Sequence, residues 1–333
     1  MEILLSHGGG GKRTRELIEK VFLKYLENEK LSELGDSALF DAPGGHYAFT
    51  TDSYVVSPLF FPGGDIGKLA VSGTVNDLSA SGAEPLYLSA AFIIEEGFEL
   101  EVLEKIVSSM SRTALEAGIP VITGDTKVVE RGKADGLFIN TSGIGRLYRT
   151  PPPSPERIEP GDLFIVNGTI GDHGITVMAL RERILDDPGD LRSDCAPLWE
   201  LVKTVLDAVD VKFMRDPTRG GLAAVANEIV RGKSFGITLY EEKIPVKDAV
   251  RGLSEILGID PLLAANEGKM VFVVSRDEAQ RALDIMRSHP LGRDSSIIGE
   301  FTDEAPGKVL LVTAYGTRRI LEMPQGEQLP RIC

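Results

Sequence analysis

Apolar and polar positions change period along this chain, and the changes mark out a succession of helices and strands. In the first half, Leu103, Ile106, Val107, Met110, Ala114 and Ala117 recur at spacings of three and four. They draw one apolar stripe along a helix over 100–117, which Gly118 ends. The pattern also predicts a helix at 14–25, a strand at 46–57, a helix rich in small residues at 65–82 and a buried strand at 86–94. Residues 120–123 and 137–145 read as further strands. The second half alternates likewise, with strands at 163–167, 237–240, 270–275, 297–301 and 309–314, and a weaker segment at 318–323. Its helices fall at 173–183, 197–209, 221–231 and 277–288.

Between the halves lies TPPPSPERIEPGD, 150–162, whose prolines exclude regular helix and interior strand. The expectation is an α/β (α+β) protein of two domains, 1–150 and 151–323, followed by a mobile tail at 324–333. No short-period repeat interrupts this pattern. Strand order cannot be read from it.

A length of 333 residues suits two cores, and 42% apolar with 26% charged residues is an ordinary globular composition. No apolar run approaches the roughly 18 residues of a membrane span. The start, MEILLSHGGGG, shows no basic segment, long apolar stretch or cleavage site, so no secretory signal is expected. Two cysteines, Cys195 and Cys333, in such a chain read as reduced and cytosolic, which counts against a disulfide between them. The net charge of −14 argues against general nucleic-acid binding. It also means that a polyanionic substrate must be met by local cations, backbone N–H groups or metal.

Cys333 is poorly placed for a core and well placed for carrying a group. Ten extended residues, 324–333, reach at most about 33–36 Å, enough to enter a cleft from outside. An adjacent α-carboxylate would disfavour the thiolate, and Arg331 is the only nearby charge to offset it. Cys195, ahead of a helix and without a partner at ligand spacing, reads as a neutral packed thiol.

Gly8, Gly9, Gly10 and Gly11 precede Lys12 and Arg13 just before a helix. Glycines let N–H groups approach a phosphate, so this segment reads as a phosphate cover, although it lacks the spacing of a Walker A loop. Asp52, Asn76-Asp77 and Asp125 stand at or inside element ends, and hard oxygen ligands of this kind suit Mg²⁺ bridging nucleotide phosphates. A single aspartate in such places is usually a cap or turn; three beside a glycine loop favour metal. Arg215, Thr218, Arg219 and Gly220 open a helix in an anion-friendly arrangement. Asn266-Glu267-Gly268-Lys269 offers a carboxylate and an ammonium together.

Together these segments resemble the PurM-like superfamily of ATP-using enzymes. Asp52, Asn76-Asp77 with Gly82-Ala83-Glu84-Pro85, Gly124-Asp125-Thr126 and Asp216-Pro217-Thr218-Arg219-Gly220-Gly221 match the general group. Ser6-His7-Gly8-Gly9-Gly10-Gly11, Asn266-Glu267-Gly268-Lys269 and Pro330-Arg331-Ile332-Cys333 are similar to the hydrogenase maturation HypE family within it. The resemblance implies a PurM-like fold in each half and a homodimer sharing an N-terminal sheet. It implies ATP and Mg²⁺ as cofactors, with Asp52, Asp77 and Asp125 on the metal. Gly8, Gly9, Gly10, Gly11, Lys12, Asn76, Arg215, Thr218, Arg219 and Gly220 would face the nucleotide. It further implies a carbamoyltransferase partner, HypF, that loads Cys333; dehydration of the thiocarbamate to a thiocyanate, with Lys127 and Glu267 at the carbamoyl end; and delivery of cyanide to iron on a HypC–HypD complex.

Two rivals stay open at this point. Another PurM-like enzyme, of thiamine-phosphate kinase or selenophosphate synthetase type, would leave Cys333 incidental. A nucleotide-gated metal scaffold would use the thiolate as a soft ligand, although four histidines in the chain make a poor self-sufficient site.

Overall fold

Each half of the chain folds around its own sheet in the computed structural model, which describes residues 3–4, 7, 11–184, 189–324 and 331–333. The first half begins with a helical segment: α1 (Lys12–Leu17), a wider π turn (Ile18–Phe22) and α2 (Leu23–Leu26). There follow β1 (Ala38–Ala42), β2 (Gly45–Tyr54), the short pair β3 (Phe60–Phe61) and β4 (Gly64–Asp65), and α3 (Ile66–Ala80). The half closes with β5 (Ala83–Glu95), α4 (Leu100–Glu116), β6 (Val121–Val129) and β7 (Leu137–Leu147). The strand order is β1-β2-β7-β5-β6. Only β5 and β6 run parallel, and α4 supplies the crossover that such a pair requires.

The second half contains β8 (Leu163–Val166), α5 (Asp172–Arg181), α6 (Trp199–Ala208), β9 (Val211–Arg215), α7 (Gly221–Val230) and β10 (Gly236–Tyr240). It continues through α8 (Asp248–Leu257), β11 (Val271–Val274), α9 (Arg276–Ser288), β12 (Ser296–Thr302), β13 (Val309–Val312) and β14 (Arg318–Ile320). Here the order is β14-β13-β10-β12-β8-β11-β9. The central strands are apolar at successive positions because both faces are covered. Ile165, Phe272 and Val274 join α6 and α9, whereas Phe164, Val166, Val271 and Val273 join α7. The first of these clusters runs on without a break into α3 and α4, so one core spans both halves.

The expected α/β two-sheet architecture is present. The sequence reading assigned no element to β1, β9 or α8. β1 and β9 are five-residue edge strands with mixed burial, and Gly252 sits in the middle of α8. The stripe on α4 also narrows: Ile106, Met110 and Ala114 are buried, but Val107 is exposed. Val107 faces a groove of about 890 Å³ between α4 and β6, with Asp125 on its wall.

Two features set up the site. In α3, capped by the Asp65 carboxylate on the Gly67 and Lys68 N–H groups, every residue is buried except Lys68 and Asp77. Asp77 is thus the point at which a core helix emerges into a cleft. At the far edge of the first sheet, β6 is exposed at every position but Val129. No helix among the described residues is long and apolar enough to cross a membrane.

Candidate active site

Asp52 from β2 and Asp77 from α3 meet the loop between β9 and α7, 215–220, in a cleft of about 520 Å³ rimmed by α1. The carboxylates crowd each other. Burial, then the charges of Asp52, Asp216 and Asp36, push the Asp77 pKa well up, against one hydrogen bond from the Thr50 hydroxyl at 2.7 Å. Asp216 is likewise pushed well up, by burial and then Asp36, with Arg215 opposing. Burial also raises Asp52, and Arg219, 3.5 Å away, resists it. One Asp216 oxygen, Oδ2, is buried without a hydrogen-bond partner.

The folded Asp77 pKa lies above its ordinary value of 3.8, so folding favours the protonated form. Its contribution to stability is therefore full below that ordinary value and is lost as pH rises through the folded one. Asp77→Asn is expected to stabilise the nucleotide-free protein at neutral pH by about 1 kcal/mol, or about 2 °C in melting temperature. The gain should disappear under acid. Thermal melts at both pH values check it, and an equal shift at both would remove repulsion as the cause.

The loop 215–220 is shaped by its last residue and by the first residue of α7. Gly220 and Gly221 take φ of +70° and +62°, and a Cβ on Gly221 would lie 2.6 Å from the Leu262 carbonyl oxygen. Arg215 is committed to Asp36 and Glu228, each at 3.0 Å. Arg219 is half-exposed and turns towards Asp52 and Cys333.

Glu267 enters from the loop before β11. It is 2% exposed, its Oε1 has no hydrogen-bond partner, and burial followed by Asp216, Asp194 and Asp52 lifts its pKa well up. The loop is held from behind by Asp194, whose carboxylate accepts the Glu267 and Gly268 N–H groups and pairs with Lys269 at 3.2 Å. Burial works against ionisation of Asp194, but the charge and hydrogen bond of Lys269, with the Glu267 N–H, outweigh it and its pKa falls. A Cβ on Gly268 would lie 1.8 Å from the Asp194 carbonyl oxygen, so no other residue fits there.

Asn76 has a different task from the expected one. Its Nδ2 donates to the Ala196 and Glu267 carbonyl oxygens, each at 3.1 Å, and its Oδ1 accepts the Leu198 N–H at 2.8 Å. With its amide spent on main chain of the other half, Asn76 is a tie between domains rather than a nucleotide contact.

The tail arrives in the same cleft. Arg331, Ile332 and Cys333 lie along the exit of β2, with the Val55 N–H donating to a main-chain oxygen of Cys333 at 3.0 Å. Burial raises the Cys333 thiol to about 11; Arg219 pulls it down, while Glu267 and Asp52 push it up. The expected offset from Arg331 is not there, because that guanidinium bonds Asp135 and the Val55 carbonyl oxygen. Arg219 takes its place. Cys195 is buried, unpaired with Cys333, and raised by burial far beyond a reactive range.

Asp125 and Lys127 do not join this cleft within one chain. They pair with each other at 3.1 Å on β6, and both are exposed. Asp52 is in register with Thr141, Ala90 and Gly124, whereas Asp125 is in register with Ser53, Asn140 and Ala91. Asp125 therefore projects from the opposite face of the sheet, three strands or about 14 Å away. Grouping Asp125 with Asp52 and Asp77 in a single chain is corrected by that register. Gly8, Gly9 and Gly10 lie outside the described residues. Gly11 and Lys12 meet Pro324, the Lys12 N–H donating to its carbonyl oxygen at 3.1 Å, and Pro324 in turn packs near Gly220.

Sequence reasoning did not find Asp36, Asp194, His173 or Arg181. No local pattern marks them, since each acts on a partner far along the chain.

Among the described residues, no three His, Cys, Asp or Glu side chains form a closed metal-ligand set. Mg²⁺ needs none: it is held by one or two carboxylates together with phosphate oxygens and water. Crowded carboxylates with raised pKa values and an unpaired Asp216 oxygen fit such an ion.

Comparison with known proteins gives matches along the whole chain. Residues 34–147 match the AIR synthase related protein N-terminal domain and residues 159–312 its C-terminal domain. The chain is 48% identical to carbamoyl dehydratase HypE of Escherichia coli (strain K12) over 336 residues, covering 99% of each. A solved HypE–HypF complex contains a chain 52% identical, with a TM-score of 0.86 over 92% of this chain and 99% of that one. HypE solved in complex with ATP is 45% identical, with a TM-score of 0.83 and 100% coverage of both chains.

Proposed function

The chain belongs to the HypE family of carbamoyl dehydratases, and from that premise we propose that it carries a carbamoyl group on the Cys333 sulfur and dehydrates it with ATP. The family assignment removes the small-molecule kinase, selenophosphate synthetase and scaffold alternatives. One juxtaposition supports the reaction: the Cys333 thiol is docked between Arg219, Asp52 and a buried Glu267 that keeps one oxygen unpartnered.

The carbamoyl oxygen of the thiocarbamate, S–C(=O)–NH₂, is a poor leaving group. Its attack on the γ-phosphorus of ATP expels ADP and gives S–C(=NH)–O–phosphate once the nitrogen has lost a proton. Loss of the second N–H proton and cleavage of the C–O bond release phosphate and leave S–C≡N. The oxygen thus departs on phosphate, and the two protons must be accepted nearby. Glu267 is the group suited to take one. Arg219 is suited to hold the phosphoryl oxygens in line. Mg²⁺ held by Asp52 and Asp77 would neutralise the phosphate charge. Gly8 to Lys12 and Thr218 to Gly220 would cover the phosphates with N–H groups. HypF is the carbamoyl donor in this scheme and an iron-carrying HypC–HypD complex the cyanide acceptor, with all of it cytoplasmic.

Asp125 and Lys127 enter through a second copy. The outer face of the first sheet carries Phe49, Tyr87 and Ile93, 47%, 47% and 45% exposed, beside the uncovered edge of β6. A long, flat edge with apolar neighbours is a liability unless covered. A homodimer closing over this face would bring the partner's Lys127 to the carbamoyl end and the partner's Asp125 to the metal.

Intact mass measurement tests the reaction. After loading by the carbamoyl donor, addition of ATP should remove one water from the peptide containing Cys333. ATP hydrolysis with the carbamoyl mass unchanged would overturn the proposal.

A further inference from the structure

Helix α5 carries two side chains that take no part in the chemistry above, yet both reach the tail. His173, in its first turn and fully buried, lies 2.9 Å through Nε2 from the Ile332 carbonyl oxygen and 2.8 Å through Nδ1 from the Ser193 hydroxyl. A carbonyl only accepts, so Nε2 bears the hydrogen and Nδ1 accepts from Ser193. Ser193 Oγ in turn accepts the Cys195 N–H at 3.1 Å, and the Phe61 ring packs edge-on against the imidazole. Burial lowers the His173 pKa, and a neutral ring is all that both bonds need.

Arg181, in the last turn of α5, donates through Nε to the Ser57 carbonyl oxygen at 2.8 Å and through Nη2 to the Arg331 carbonyl oxygen at 2.6 Å. One guanidinium thereby joins the exit of β2 to the tail. Two strand-like bonds complete the grip, from Val55 N–H to the Cys333 oxygen at 3.0 Å and from Ser57 N–H to the Arg331 oxygen at 3.2 Å. His173, Arg181, Val55 and Ser57 all act on main-chain oxygens of the tail, and none of these bonds uses the Cys333 side chain.

We propose that His173 and Arg181 are positioning residues that latch the tail by its main chain, so that bare and loaded Cys333 dock in the same geometry. This rests on Cys333 as the carrier. A carrier must present thiol, thiocarbamate and thiocyanate to one cleft. Recognition through the sulfur would favour one of them and hold the others poorly. Recognition through three successive main-chain oxygens is blind to the cargo.

Amide hydrogen exchange resolved at Val55 and Ser57 reads the latch directly. His173→Ala and Arg181→Ala should each speed exchange there by about tenfold or more, with α3 amides unchanged. Arg181→Lys, which keeps the charge and a donor, should recover part of the protection. Treating the wild-type protein with iodoacetamide puts –CH₂–CONH₂ on Cys333, close in size to a carbamoyl group, while Cys195, 2% exposed, is shielded. Protection at Val55 and Ser57 should survive this modification. Exchange unmoved by either alanine substitution, or protection lost on alkylation, would overturn the latch. Should His173→Ala fail to fold, the Arg181 variants and the alkylated protein still decide it. None of these measurements involves ATP or the carbamoyl donor, so the latch and the dehydration can fail separately.

Discussion

Glu267→Gln is expected to bind ATP normally and to dehydrate a loaded Cys333 more slowly by about 10²- to 10⁴-fold, the usual contribution of one positioned base. The substitution keeps shape and removes only proton affinity. Glu267 is suited to the task because burial and the surrounding carboxylates raise its pKa well up. A carboxylate with a raised pKa is a stronger base once ionised. The same shift gives the pH dependence its sign: turnover should climb with pH as the folded Glu267 loses its proton, and the climb should vanish in the glutamine variant. Single-turnover mass measurement on carbamoyl-loaded protein separates this step from loading. Cyanation at the wild-type rate in Glu267→Gln would take the residue out of the mechanism.

Mixing two inactive variants should restore activity. In the proposed homodimer, Lys127→Ala and Cys333→Ala are each expected to abolish turnover, one lacking the proposed polarising cation and the other the proposed carrier. In a mixed dimer, the intact Cys333 of one chain meets the intact Lys127 of the other, and the remaining site is doubly defective. With random exchange at equal amounts, half the dimers are mixed and each has one working site, so roughly a quarter of wild-type activity returns. The face assignment motivates this expectation: Lys127 is in register with Ile93 and Phe138 on the outer side of the sheet, away from α3. No recovery after verified subunit exchange would mean that Lys127 does not act across the interface.

Local chemistry was legible in the sequence, and distant geometry was not. The loop 215–220 announces itself because arginines and glycines must be consecutive to make it, and α4 does so because its stripe repeats within one helix. The Asn266-to-Lys269 segment was likewise visible, although Asp194, which holds it from behind, was not. Asp125 shows the limit most clearly. Its neighbours in sequence suggested a metal ligand beside Asp52, but the side on which a strand residue points depends on a register set through three strand pairs. His173 and Arg181 contact residues more than a hundred positions away, where no spacing rule applies. Asn76 was misassigned for a related reason: a polar side chain inside an apolar helix demands partners, and the sequence could not show that main chain from the other half supplies them.

That amide fixes more than the fold. Because Asn76 grips the Glu267 carbonyl and adjoins Asp77, the acid that emerges from α3 and the buried carboxyl group opposite it are spaced before any nucleotide arrives. The two domains cannot gape apart at this seam without tearing three hydrogen bonds at once. Whatever enters or leaves the cleft therefore passes between walls that behave as a fixed die.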